Sequence, residues 1–133
     1  MSKSLIPFDS QKHHIYLEFG IIDAKGVDRY GLGILDTGAP QTEFSDIFLS
    51  HIGFLTTDLS LNIVPPGQET KKYRKVKLPI VNICGYQFKD SEFIVSRFER
   101  SWGIDALIGL DLFRKCKITI DYLSEIIISE PFS

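Results

Sequence analysis

Ile34-Leu35-Asp36-Thr37-Gly38-Ala39 is the stretch in which residue types and order could do chemistry. Two apolar residues at the end of an extended run deliver a carboxylate, then a hydroxyl, then a glycine whose missing Cβ permits a tight turn and close backbone approach. Such a turn can aim backbone N–H donors at Asp36. Asp-Thr-Gly is also ordinary turn chemistry, so its context has to decide. The other reactive side chains lack an organising pattern. His13, His14, His51, Cys84 and Cys116 show no Cys-x-x-Cys or His-x-x-x-His spacing, and no metal site is expected. Gly31-Leu32-Gly33 lacks phosphate-loop spacing and sits inside an extended stretch, where packing or a bulge accounts for it better than a nucleotide does. Trp102 reads as a loop anchor or a core plug, and Asp111 as a helix-start acid facing the dipole or a nearby arginine.

The elements that must carry the Asp36 turn are read from periodicity. Ile15, Leu17, Phe19 and Ile21 alternate as in a half-buried strand. Asp23-Ala24-Lys25-Gly26 supplies a turn, and Val27 to Leu35 returns as the second arm of a hairpin that Gly38 and Pro40 end. Asp46 to Ser50 predicts a short helical turn with Ser45 as N-cap. Alternation from Asp58 to Val64, then Pro65-Pro66-Gly67-Gln68, then Tyr73, Val76, Leu78 and Ile80, predicts a long hairpin with an exposed tip. Tyr86 to Ser96 is a further strand, Arg97 to Gly103 a loop, Leu110 to Lys115 one or two helical turns, and Ile118 to Asp121 with Glu125 to Ser129 a terminal hairpin. So many short strands predict an all-β barrel.

Composition narrows the class. The 133 residues hold 15 Lys and Arg against 17 Asp and Glu, a formal charge of −2, with 44% apolar and 24% charged residues. That is the arithmetic of one globular domain over residues 1–133, long enough to bury roughly two thirds of its unfolded surface without a metal or disulfide framework. The near-neutral charge gives no footprint for nucleic acid. Apolar runs such as Ile126 to Ile128 fall far short of a membrane span, so no membrane association is expected. Met1 to Phe8 has no apolar signal core, and the expected compartment is the reducing cytoplasm, with Cys84 and Cys116 as buried thiols.

Farther along, Ala106-Leu107-Ile108-Gly109 places two large apolar residues before glycine, followed by Leu110-Asp111-Leu112-Phe113. With this second motif the chain resembles the retropepsin-like aspartic proteases. Asp36-Thr37-Gly38-Ala39 is similar to their active-site turn, Leu107-Ile108-Gly109 to the segment that packs beside it, and Gly109-Leu110-Asp111 to the start of their short helix. The likeness runs from about His14 to Ser129 in strand order, while the middle of the chain matches in pattern alone. It implies a closed acid-protease (retropepsin-like) β-barrel with one short helix near the C-terminus, and an aspartic endopeptidase that uses no metal or organic cofactor.

Two carboxylates held about 3 Å apart cannot both ionise, so one serves as base and the other as acid. This chain offers a single Asp-Thr-Gly, because neither Asp105 nor Asp121 is followed by Thr or Ser and Gly. The resemblance therefore implies a homodimer in which two copies of Asp36 meet on a twofold axis and act on a peptide or protein substrate. In that reading Thr37 bridges the subunits, Gly38 gives the dyad a backbone hydrogen bond, and Ala39 lines the cleft. The tip at Val64, Pro65, Pro66 and Gly67 corresponds to the flap, with prolines where retroviral members commonly carry glycines; an exposed turn with no substrate role is the alternative. Pro40 is a second departure, since proline deletes an N–H donor. Ser4 to Phe8 and Ile126 to Phe132 are expected to offer exposed strand edges to a second subunit. Two further readings are a catalytically silent barrel used for dimerisation or peptide binding, and a protease that requires activation of its flap or dimer.

Overall fold

The computed structural model describes residues 3–54 and 74–132, and the flap residues Val64, Pro65, Pro66 and Gly67 lie outside the described residues. Nine strands are described: β1 (Ser4–Pro7), β2 (Tyr16–Ile22), β3 (Asp28–Leu35), β4 (Glu43–Ser45), β5 (Arg74–Ile83), β6 (Tyr86–Ser96), β7 (Ala106–Ile108), β8 (Cys116–Asp121) and β9 (Ile126–Pro131). Helix α1 (Asp46–His51) follows β4, a 3-10 turn spans Arg100–Trp102, and helix α2 (Leu110–Phe113) follows β7. Six strands close a barrel in the order β2-β3-β7-β4-β6-β5, and β1-β9-β8 form a separate three-stranded sheet. The predicted all-β barrel with a short helix near the C-terminus is thus the architecture found. Among the described residues no helix is long and apolar enough to cross a membrane.

Alternation in β2 buries Leu17, Phe19 and Ile21 as the two-residue period requires. Inside the barrel the aromatic rings meet edge to face, Phe48 on Phe19, Phe19 on Phe44, Phe44 on Phe93 and Phe93 on Phe88, with centroids 5.2 to 5.5 Å apart. Each such pair contributes about 0.5–1.5 kcal/mol beyond the area it buries. Room for these rings comes from glycine. A Cβ on Gly31 would sit 2.5 Å from Phe19 Cζ, and one on Gly33 would sit 2.9 Å from Ile108 Cδ1. Gly31-Leu32-Gly33 is therefore a packing device within β3.

Helix α1 begins as expected, with Ser45 Oγ accepting the N–H of Phe48 at 3.3 Å. The β5–β6 hairpin turns on Cys84 and Gly85, both at positive φ (51° and 77°), the conformation of a two-residue primed turn. Cys84 takes the place where asparagine is usual because its side chain is buried, and an unpartnered amide there would be costly. Both cysteines are free and buried. Burial pushes the Cys84 thiol up to about 12 and raises that of Cys116, so both remain protonated at neutral pH.

The terminal sheet differs from expectation. β9 pairs with β1 from Ser4↔Ser129 to Pro7↔Ile126 and with β8 from Cys116↔Pro131 to Asp121↔Ile126. It is the central strand, paired on both sides from Ile126 to Ser129. The outer edges of the sheet belong to β1 and β8.

Candidate active site

The parallel pairing of β3 with β7 puts Leu35 level with Ile108, so the chain leaves both strands at the same end of the barrel. Asp36 begins the loop after β3, and Gly109 begins the one after β7. They are joined at the root: Asp36 N–H donates to the Ile108 carbonyl at 2.8 Å, and Leu35 N–H to the Ile15 carbonyl at 3.0 Å. The turn then closes on itself. Gly38 N–H donates to Asp36 Oδ1 at 2.8 Å, and Ala39 N–H to the Asp36 carbonyl at 3.1 Å. This is the N–H donor aimed at the carboxylate that the Asp-Thr-Gly order predicts.

A second set of contacts clamps the two loops together. The Ala39 carbonyl accepts from Leu110 N–H at 2.8 Å. Thr42, fully buried, donates its N–H to Asp111 Oδ2 at 3.0 Å and its hydroxyl to Asp111 Oδ1 at 2.7 Å, while Thr42 Oγ1 accepts from Gly109 N–H at 3.1 Å. Gly109 owes its identity to this clamp. A Cβ there would lie 2.5 Å from the Ala39 carbonyl oxygen and 2.7 Å from the Gln41 carbonyl carbon, with backbone on both sides and nothing able to yield. Arg114 Nη1 adds a contact at 3.4 Å to the carbonyl of Pro40, so the residue without an N–H still takes part through its oxygen.

Asp111 is therefore more than a helix-start acid. One carboxylate oxygen does accept its own helix's Leu112 N–H at 3.0 Å, but both oxygens reach Thr42 across the loop, and no arginine is among these partners. The sequence carried half of this signal in Gly109-Leu110-Asp111. The other half, Thr42, has no local mark.

Asp36 is half-buried and lines a cavity of about 690 Å³ together with the apolar Ile34, Leu35 and Leu107 and with His13, His14, Tyr16, Ser101 and Trp102. A larger cavity, about 900 Å³, shares Tyr16 and Trp102 with this one and is lined by Phe8, Asp9, Lys12 and Glu125 among others. It holds no part of the Asp36 turn. Thr37 and Gly38 are exposed beside the carboxylate. Ala39 is buried under the turn and is not among the residues lining the cavity. Among the described residues no three His, Cys, Asp or Glu side chains cluster to hold a metal ion.

No protein-family model matches the chain, and no curated protein matches it by sequence. Solved structures do match. A retropepsin-like aspartic protease from Rickettsia conorii superposes with a TM-score of 0.65 at 20% identity, covering 98% of this chain and 91% of that one. The retroviral protease-like domain of Ddi1 from Leishmania major superposes with a TM-score of 0.59 at 19% identity, covering 92% of this chain and 96% of that one. A six-strand barrel, with an Asp-Thr-Gly turn and an Ile-Gly turn leaving it side by side, and these likenesses together establish that the chain has the retropepsin-like fold.

Proposed function

We propose that residues 1–133 act as one domain of a homodimeric aspartic endopeptidase whose reacting groups are the Asp36 carboxylates of two copies. The observation that carries this reading is the state of Asp36. Its carboxylate is oriented by one short hydrogen bond, from Gly38, and faces a cavity large enough for a peptide segment. The rigid clamp behind it, from Thr42 to Asp111 and Gly109, keeps the turn fixed while leaving the carboxylate open on its outer side.

In the dimer the two carboxyls share one proton. The ionised one takes a proton from a water molecule, whose oxygen attacks the scissile carbonyl, and the protonated one gives its proton to the carbonyl oxygen; as the C–N bond breaks, the first carboxyl passes the water's proton to the departing nitrogen and a hydroxyl of the tetrahedral intermediate returns a proton to the second. In this reading Thr37, exposed beside the carboxylate, bridges the two turns through its hydroxyl, and the Gly38 N–H, 2.8 Å from Asp36 Oδ1, orients each carboxylate. Activity should then trace a bell in pH, with limbs that belong to the pair.

The test is subunit mixing. Wild-type chain is mixed with an excess of Asp36→Asn and allowed to exchange, and cleavage of a fluorogenic peptide library is followed. The rate per wild-type chain should fall as mixed dimers form, and should also fall on dilution through the dimer dissociation constant. Undiminished activity despite proven exchange, or full activity from a sedimenting monomer, would overturn the shared site.

A further inference from the structure

Exposed apolar side chains gather at one place that the Asp36 turn does not reach. The cavity of about 900 Å³ is lined by Pro7 at the end of β1, Phe8, Tyr16 at the start of β2, Leu32 of β3 and Trp102 of the 3-10 turn. Trp102, the only tryptophan in the chain, is 51% exposed, and its ring is held by stacking on Phe98, with centroids 6.0 Å apart and 29° between planes. The turn between β8 and β9 extends the same surface. Tyr122 meets Phe8 edge to face at 5.0 Å, Leu123 next to it is 96% exposed, and Ser124 and Glu125 belong to the lining. Leu32, Trp102, Tyr122 and Leu123 are thus four large apolar side chains left partly in water around one groove, the mark of a surface that another chain covers.

Charge decides the kind of chain. Two carboxylates, Asp9 and Glu125, line the groove against one ammonium, Lys12. Among the described residues the ion pairs are Arg29 with Asp23 and Arg97 with Asp46, so neither carboxylate of the groove has a cationic partner. Backbone fixes them instead. Gln11 N–H donates to Asp9 Oδ1 at 2.9 Å, Ser10 N–H to Glu125 Oε2 at 2.9 Å, and Phe8 N–H to the Glu125 carbonyl at 3.1 Å. These bonds tie the segment after β1 to the β8–β9 turn and leave the second oxygen of each carboxylate outside them. Glu125 holds its place at a φ of 56°, where glycine would fit with less strain but would bring no charge.

An indole and a phenol beside two preset carboxylates suit a guanidinium. It is planar, permanently charged and weakly hydrated, and it can bond a carboxylate through two N–H groups while its face lies on a ring. We propose that this groove docks an arginine-bearing apolar segment of a partner protein, with Asp9 and Glu125 taking the guanidinium, Trp102 and Tyr16 its flat face, and Leu32 and Leu123 the apolar neighbours. Tyr16 and Trp102 also line the Asp36 cavity, whereas Asp9, Lys12 and Glu125 line this groove alone. Docking here needs no cleavage, and the inference stands apart from the proposed role of Asp36.

The test uses the blocked hexapeptide Ala-Leu-Arg-Leu-Ala-Ala and its counterparts with Lys, citrulline or Glu in place of Arg. Each is titrated into the full chain and into its Asp36→Asn variant while Trp102 emission is recorded. The Arg peptide should change the emission saturably in both proteins, with an affinity about tenfold or more above that of citrulline, which has the same shape and no charge. Lys should fall between them, Glu should bind least, and added salt should narrow the gap between Arg and citrulline. The double variant Asp9→Asn with Glu125→Gln keeps acceptors for the Gln11 and Ser10 N–H groups and removes both charges. It should cut the Arg affinity about tenfold and leave that of citrulline within about twofold. Lys12→Gln should raise the Arg affinity about threefold, a gain that misfolding cannot mimic. No saturable change with the Arg peptide, Arg and citrulline bound alike, an Arg affinity unmoved in the folded double variant, or weaker binding by Lys12→Gln would each overturn the docking groove.

Discussion

Strand β3 has an aspartate beyond each end, and the fold surrounds the two in opposite ways. Asp23, in the turn that leads into β3, is buried and spent on structure: its Oδ1 accepts from Lys25 N–H at 2.8 Å and Val27 N–H at 2.9 Å, and its Oδ2 from Arg29 Nε at 3.1 Å. The Val27 N–H above all, then those of Lys25 and Arg29, outweigh burial and hold its carboxyl below the ordinary carboxylate range. Asp36, just past the other end, receives the Gly38 N–H on Oδ1 and opens onto a cavity. Both sit in turns favoured by similar residue types. The difference lies in how many donors the fold aims at each carboxylate. A fully coordinated carboxylate braces a hairpin; one held at a single oxygen keeps the other open to the cavity, as the proposed proton transfer requires.

The sharpest way to break this comparison is to neutralise each aspartate in turn. Asp36→Asn should lower the rate of peptide cleavage by about a thousandfold or more, since an amide keeps the shape but cannot carry the proton, and the melting temperature should stay near that of wild type. Asp23→Asn should do the reverse, lowering the melting temperature while the cleavage rate per folded dimer is retained. An Asp36→Asn chain that still cleaves, or an Asp23→Asn chain that folds well and has lost turnover, would show that the roles have been assigned to the wrong ends of β3.

A smaller effect is expected at the clamp. Thr42→Val keeps the volume and removes the hydroxyl, leaving Gly109 N–H and one contact of Asp111 without their partner, for a loss of about 1–3 kcal/mol in chemical denaturation. Cleavage should fall further than stability accounts for, because the loop carrying Asp36 loses part of its tie to α2. A variant as stable as wild type would mean that the bonds left in place, the backbone N–H of position 42 to Asp111 and the Ala39 to Leu110 bond, suffice.

The smallest effect is in pH. The folded-state pKa of Asp23 is lowered, so the stability it contributes is present above its unfolded value, near pH 4, and is lost as pH falls through the folded value. The melting-temperature gap between wild type and Asp23→Asn should therefore be full at neutral pH and shrink on acidification below pH 4. Asp121, lowered chiefly by the Ser124 N–H, should lose its contribution in the same direction. A gap that widens on acidification would contradict the coordination described at Asp23.

How much of this was legible beforehand differs by element. The hairpin of β2 and β3, the strand β6, the terminal pair β8 and β9, and the Ser45 cap were readable because period-two alternation and turn or cap chemistry are local properties. β4 and β7 were not, and β1 was expected only as an apolar strand edge without its partner. They are three or four residues long, too short for alternation to register, and exist because neighbouring strands supply their hydrogen bonds. β1 had a further consequence: by pairing with β9 it closes an edge that the chain's apolar ends had suggested was open.

By itself the sequence determined which residues could do chemistry here, namely Asp36 with a Gly38 amide two residues on, and Gly109 with its bare Cα. Those are matters of covalent order: the reach of a side chain to a nearby N–H and the absence of a Cβ travel with the residues. Only the tertiary structure decided that Asp111 holds Thr42 and that Trp102 faces the same space as Asp36. These pairs lie more than sixty residues apart, and chain order says nothing about contacts made when β3 and β7 pair in parallel and deliver their loops to one end of a barrel.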